Sequence, residues 1–345
     1  MLRIAIAGSG GLARIFAHYI SESRHPFIIL SRKPQPELEA LDYQVAVVDY
    51  DSQEDLRFTL RGIDLVISTI PGSAQLNLMD AAAYSSVRRF IPAEFEGSPR
   101  RRTRKDPLDR GKAAVLDRLR HWAHHPRHPM ACTVFCCGVF YERFARGGLI
   151  SLGIGTSTGV SVQGSYLMDI EASTAEVVEE DREGNPIHLN LTSMYDVARF
   201  LVAALDLSLD SWPQEFRMSG ERRTVGEVLQ WAEAVKGGAL FTTEVIQARD
   251  LPAHLEHAAY YQDYAKVERI QELIATEQGR YDFTPNLNAL VDVVPTKFWD
   301  WLRTHWGTES ETKLPEETRN IEETKTIEET KNTEDRPGSG PLSIV

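Results

Sequence analysis

The chain has 345 residues, 42% of them hydrophobic, and a formal net charge of −12; that length suits one large or two closely packed domains, and an acidic body argues against a nucleic-acid partner. Its three cysteines, Cys132, Cys136 and Cys137, are odd in number and lack a second ligand cluster, which argues against a disulfide framework or a metal site and fits a reducing compartment. No apolar run approaches the ~18 residues of a membrane span and a strand begins almost at Met1, so a soluble, cytoplasmic protein without membrane contact is expected.

Residues 2–7 read as a strand interrupted only by Arg3, after which Leu12, Ile15, Phe16, Tyr19 and Ile20 recur at helical spacing. Strands follow at 27–30 and 45–48, a helix at 53–60, a strand at 65–68 and a helix at 74–83. A fifth strand at 89–92, a helix at 112–124 and a sixth strand at 131–135 complete the alternation. Such alternation predicts an α/β fold, a Rossmann-type doubly wound parallel sheet, over residues 1–150. Near residue 147 the rhythm changes: GGLISLGIGTSTG is dense in glycine and threonine, EEDREGNP predicts a hairpin, and helices return at 194–205 and 225–235. We expect a smaller α+β substrate domain over 151–307, with segments that return to the first. Residues 308–345 hold ten acids against five Lys or Arg, and repeat EETRNI, EETKTI and EETKNT every six positions. Six positions turn an α-helix by about 600°, so Ile321 and Ile327 would not share a face; a disordered, acidic, low-complexity tail is expected.

The motif that carries chemistry is AIAGSGGLAR at the first strand-to-helix turn. Gly8 allows a tight turn, Gly10 or Gly11 allows a pyrophosphate close to the backbone, and the small Ala13 allows the helix to pack on the sheet. With Ser9 and Leu12 these residues form a candidate dinucleotide cradle at a helix N-terminus. The second strand ends in Ser31, Arg32 and Lys33 with no acid. A carboxylate there would hold the ribose hydroxyls of NAD, whereas a cation suits the 2′-phosphate of NADP(H); the alternative is a plain solvated strand end. The remaining strand ends add Thr69, Ile70, Pro71 and Gly72 after the fourth strand, Pro92, Ala93, Glu94 and Phe95 after the fifth, and Cys137 and Gly138 after the sixth. Phe95, Val139, Phe140, Tyr141 and Phe144 could wall a flat substrate, or Phe140, Tyr141 and Phe144 could be plain core.

Two clusters look chemical but read otherwise. The basic run RRRTRK at 100–105 lacks interleaved aromatics and reads as a mobile, solvated loop. HWAHHPRHP at 121–129 straddles a helix end without matching carboxylates and reads as a solvated helix terminus. No tyrosine is followed four residues later by lysine, so the Tyr-x-x-x-Lys pair of ordinary short-chain dehydrogenases is absent.

The stretch RRFIPAEFEG at 88–97, followed by Lys112 and KAAVLDRLRHW, resembles the isoflavone reductase and phenylcoumaran benzylic ether reductase branch of the NmrA-like family, atypical extended short-chain dehydrogenases. SYLMDIEAS and LTSMYDVARFLVAAL resemble its fungal members. In that branch the fifth strand ends in Pro-Ser-Glu-Phe-Gly; Pro92, Glu94 and Phe95 match, while Ala93 and Glu96 depart. The resemblance implies that Lys112 sits by the nicotinamide as catalytic acid or base. Independently, a lysine in the first turn, with Val115, Leu119 and Trp122 burying one face, would be disfavoured as an ammonium by helix amides and a desolvating pocket. The expected protein is an NADP-dependent oxidoreductase, a monomer or a homodimer, acting on an aromatic or polyketide-like small molecule of secondary metabolism. A regulator that binds NADP without turnover, or a non-redox cyclase, dehydratase or isomerase, are the competing expectations.

Overall fold

The computed structural model describes residues 1–103, 106–156 and 161–307. The expected tail at 308–345, and the end of the basic run at Arg104 and Lys105, lie outside the described residues. Among those described, no helix is long and apolar enough to cross a membrane.

The first half alternates as β1 (Ile4–Ala7), α1 (Gly11–Ser21), β2 (Phe27–Ser31), α2 (Pro36–Glu39), β3 (Val45–Val47), α3 (Gln53–Thr59), β4 (Leu65–Ser68), α4 (Gly72–Tyr84), β5 (Arg89–Ile91), α5 (Lys112–Ala123) and β6 (Ala131–Cys132). The six strands form one parallel sheet in the order β3-β2-β1-β4-β5-β6. Because successive strand residues face opposite sides, Ile4, Ile6, Leu65 and Ile67 join one core, and Ala5, Ala7 and Val66 the other. The first core packs against Phe16 and Ile20 of α1; the second packs against Leu56 of α3, Leu78 and Met79 of α4, and Val115, Leu119 and Trp122 of α5. Each such fully buried side chain contributes roughly 1.5–3 kcal/mol relative to exposure.

The sixth strand departs from the expected 131–135. It breaks at Thr133, and β7 (Val134–Cys136) leaves the sheet to pair with β12 (Glu215–Arg217). The break is polar: the buried Thr133 hydroxyl donates to Pro213 O at 2.7 Å and accepts from Arg89 Nη1 at 2.7 Å, tying the chain to a later segment.

The second half comprises β8 (Val139–Phe140), β9 (Met168–Asp169), β10 (Thr174–Val177), β11 (His188–Thr192), α6 (Met194–Leu205), β12, β13 (Glu221–Thr224), α7 (Val225–Val235), β14 (Thr242–Val245), α8 (Leu251–Tyr260), α9 (Tyr264–Glu277) and α10 (Phe298–Trp306). The polar segment expected as a hairpin closes through a Glu180–Pro186 bridge. Thr224 and Glu227 form a reciprocal capping box that starts α7. Trp231, Phe298 and Trp301 centre a separate core, whereas Phe200 and Leu201 of α6 return to the first core beside α1. The helices α8, α9 and α10 were not anticipated; α9 proves the important one, because it reaches the cleft.

Candidate active site

A cleft of about 640 Å³ runs along the C-terminal ends of the parallel strands, the place where open α/β sheets bind ligands. At one end lie Ser31, Arg32 and Lys33 at the end of β2; the glycine turn after β1 follows, then Thr69, Ile70, Pro71 and Gly72 leading into α4. Ala93, Phe95 and Lys112 line the far end with Gly138, Val139 and Phe140.

The glycine turn is stereochemically specified. Gly8 has φ +112°, and a Cβ there would lie 2.3 Å from Thr69 Oγ1, so no other residue fits without rearrangement. Gly11 serves a different purpose from the one expected. A Cβ on Gly11 would lie 1.7 Å from the carbonyl oxygen of Leu152, and the Gly11 amide donates to Gly153 O at 3.3 Å. Thus residues 149–156 cross over the turn, and one of the amides expected to face phosphate serves this crossing. Ala13 is buried under the helix, as its size suggested, and does not line the cleft.

Arg32 and Lys33 are exposed, and no carboxylate among the described residues pairs with either. Between them and the turn, Ser31 Oγ lies 3.3 Å from Ser9 Oγ and accepts from Gln35 Nε2 at 3.1 Å. Two uncommitted cations at the end of β2, beside a cradle that a Cβ at Gly8 would fill, fit an extended dinucleotide with an added phosphate. A buried Gln75 from α4 accepts the Ala93 amide at 2.7 Å, which fixes the loop after β5 against the cleft wall.

The far end is a cluster of charge. Glu94 is 1% exposed, and its carboxylate is gripped by Arg102, which also reaches Glu96 Oε1 at 2.6 Å. Lys112 Nζ is ion-paired with Glu96 Oε2 and lies 3.9 Å from Glu94 Oε2. Burial works against ionisation of Glu96, but Lys112 and Arg102 outweigh it and hold the carboxyl well below its usual range. Burial pushes Glu94 the other way, with Lys112 and Arg102 only partly opposing it. Two expectations are corrected here. The run RRRTRK is not simply a solvated loop, since Arg102 turns inward with its side chain 6% exposed. Lys112 is not an isolated, desolvated amine, because a carboxylate meets it inside the cleft.

A second group lines the same cleft and was missed in the sequence. Tyr281 donates from its hydroxyl to Glu272 Oε2 at 2.6 Å, and Arg143 pairs with Glu272 at 3.4 Å. Burial disfavours the Glu272 anion, but Arg143 and the Tyr281 hydrogen bond hold its carboxyl below the usual range. Glu272 lies on α9, more than a hundred residues beyond the strand ends, and no local motif marks it. Of the expected substrate wall, Phe95, Val139 and Phe140 line the cleft. Tyr141 and Phe144 turn away into the core against Phe298, with Tyr141 donating to Thr296 O at 2.9 Å. Pro92, Glu94 and Cys137 stand behind the lining residues rather than among them. Among the described residues, no group of three or more His, Cys, Asp or Glu side chains is placed to hold a metal ion.

No protein-family model matches the chain. In sequence it is 27% identical over 249 residues to the oxidoreductase BOA1 of Botryotinia fuckeliana, covering 69% of this chain and 77% of that protein. It is 39% identical over 101 residues to the oxidoreductase swnR of Metarhizium robertsii, a match that spans 27% of this chain and 33% of the relative. Its fold matches the crystal structure of isoflavone reductase with a TM-score of 0.65 at 17% identity, over 88% of this chain and 98% of that one. It also matches AtPrR2 with NADP+ and (+)-pinoresinol, at a TM-score of 0.63 and 16% identity over the same shares of the two chains. The chain is therefore similar in sequence to proteins named as oxidoreductases and shares the Rossmann-like architecture of NAD(P)-binding reductases.

Proposed function

We propose that the chain is an NADPH-dependent reductase of an aromatic or polyketide-like small molecule of secondary metabolism, with Lys112 as its general acid or base. The observation that carries this reading is the continuity of one cleft from Arg32 and Lys33, which pair with no carboxylate among the described residues, past the glycine turn, to Lys112. Arg32 and Lys33 would hold the 2′-phosphate, Gly8 to Gly10 the pyrophosphate, and Thr69 to Gly72 with Gly138 the nicotinamide half. When bound, the cofactor supplies a hydride. Lys112 contributes the proton that neutralises the oxyanion formed on the substrate, from an ammonium already directed into the cleft by Glu96. Phe140, Leu149 and Ile154 give the substrate an apolar wall, while Arg143 and Tyr281 bound it with polar groups. Residues 1–150 would serve the dinucleotide and 151–307 chiefly the substrate. The relatives named as oxidoreductases and the NADP+-bound structural neighbour support this assignment.

The test uses NADPH carrying deuterium as its transferable hydrogen, with a panel of aromatic ketones, enones and quinones as probes. Deuterium is expected in the reduced product, and Lys112→Met is expected to lower turnover by about 10²- to 10⁴-fold with NADPH affinity retained. Product formed without NADPH oxidation would replace the reductase with a non-redox enzyme. Full turnover in Lys112→Met would remove the lysine from the mechanism.

A further inference from the structure

Glu96 stands where the resembled signature has glycine, so the chain has placed a carboxylate beside its candidate catalytic lysine. Its position is fixed by backbone as well as by charge: the Glu96 carbonyl accepts from the amides of Cys137 at 2.9 Å and Gly138 at 3.2 Å. Gly138 lines the cleft, so the backbone that carries Glu96 is tied to the cleft wall. The carboxylate then bridges two cations, with Lys112 on Oε2 and Arg102 on Oε1. Arg102 in turn holds Glu94, and Lys112 approaches Glu94 as well. The result is a cross-linked quartet of two carboxylates and two cations, contributed by the loop after β5 and the first residue of α5.

We propose that Glu96 is a positioning residue whose carboxylate holds the Lys112 Nζ in the cleft as an ammonium, ready to donate a proton when a substrate is reduced. The inference rests on the reading of Lys112 as the acid or base and adds the carboxylate that orients it. A lone lysine in a desolvated pocket sheds its proton readily and suits a base; an adjacent carboxylate favours the charged form. Among the described residues, charged and titratable groups share the cleft or its wall with the pair: Glu94 and Arg102 from the loop after β5, Arg110, itself ion-paired with Glu268, from the turn before α5, Cys137 from the segment after β7, and Arg143 after β8. Beyond them lie Glu272 on α9, with Arg280 and Tyr281 after it; Arg280 itself is ion-paired with Asp106. Among the described residues Arg102 is the other cation in direct contact with Glu96, so loss of Glu96 leaves Lys112 with Glu94 at 3.9 Å as its remaining carboxylate partner. In the step itself one N–H bond of Lys112 breaks and one O–H bond forms on the substrate oxygen. Bound NADPH would supply the hydride and with it the electron pair to the substrate carbon, leaving as NADP+, and the neutral amine would regain a proton from water.

The coupling of Lys112 to Glu96 is read without a substrate. Full-length protein is labelled with trace acetic anhydride, and acetylation of Lys112 is measured by peptide mass spectrometry relative to the exposed Lys297. Only the uncharged amine reacts, so the ratio reports how far Lys112 is held as an ammonium. In Glu96→Gln the ratio near pH 7 is expected to rise roughly threefold or more, with a smaller rise near pH 9.5, and to return close to wild type in Glu96→Asp. A ratio unchanged in Glu96→Gln overturns the proposal. So does a rise equal at both pH values, which would mean that the site has merely opened. Circular dichroism and NADPH titration monitor the fold; if Glu96→Gln does not fold, Glu96→Ala carries the same expectation and the same contrary outcomes. Lys112→Met separates the two claims: full turnover in that variant defeats the acid-base role of Lys112, while the labelling ratio still decides the coupling to Glu96.

Discussion

The two ends of the cleft treat their cations in opposite ways. At the end of β2, Arg32 and Lys33 stand in solvent without a carboxylate partner among the described residues. At the far end, Arg102 and Lys112 are matched against Glu94 and Glu96 within the protein. The difference separates charge kept for a ligand from charge that is internally compensated. Compensation outweighs burial at Glu96, whose carboxyl is held low, but only partly offsets it at the more deeply buried Glu94. Glu142 makes the point by contrast: it is 2% exposed and bonded to Ser193 Oγ at 2.7 Å and the Met194 amide at 3.0 Å. With no cation paired to it among the described residues, burial pushes its carboxyl up to about 7 despite those hydrogen bonds.

The strongest way to break the comparison is to remove a cation from the compensated end. Arg102→Leu leaves Glu94 buried and without its guanidinium, and breaking a buried pair in this way typically costs about 3–5 kcal/mol. Urea unfolding should register a loss of that order. A loss below about 1 kcal/mol would mean that water, rather than Arg102, compensates the carboxylates.

A second test bears on Glu142. Its folded-state value of about 7 lies above its ordinary value of 4.5, so the native state holds an extra proton between the two. This contribution to stability is present below pH 4.5 and is lost as pH rises through about 7, by roughly 3 kcal/mol. Glu142→Gln should flatten the fall in unfolding free energy over that window by a comparable amount. An identical slope in both proteins would show that Glu142 stays ionised in the fold.

The smallest expected effect is at the open end. Arg32→Ala removes one charge-assisted contact to the 2′-phosphate, typically 1.5–3 kcal/mol, so NADPH should bind at least about tenfold more weakly and NADH nearly unchanged. Because the contact is exposed, added salt should weaken NADPH binding to the wild type more than to the variant. Equal losses for the two dinucleotides would remove Arg32 and Lys33 from cofactor selection.

Much of the fold was legible because its signals are local. The strand at 65–68 and the helices at 194–205 and 225–235 follow from hydrophobic periodicity and capping within a few residues. The split of the sixth strand was not legible, since Thr133 breaks it through partners at Arg89 and Pro213. The candidate site divides in the same manner. Sequence placed the glycine turn, Arg32, Lys33 and Lys112 along one edge of a sheet. It left Tyr141 and Phe144 open between a substrate wall and plain core, because residues near a strand end look alike whether they face a cleft or a core.

The sequence by itself determined the alternation that makes a parallel sheet, the glycine turn at its first crossover and the cations at the end of its second strand. Each is written in neighbours a few positions apart, where backbone stereochemistry and side-chain alternation act directly. Only the tertiary structure decided that Arg102 leaves a basic run to grip Glu94 and Glu96, that Gly11 yields its amide to Gly153, and that Glu272 and Tyr281 close the far end of the cleft. Those contacts join segments distant along the chain or turned back on themselves, and they are fixed by which charges packing leaves without water. Local pattern carries no record of that outcome, because the same residues are equally at home in solvent until a fold encloses them.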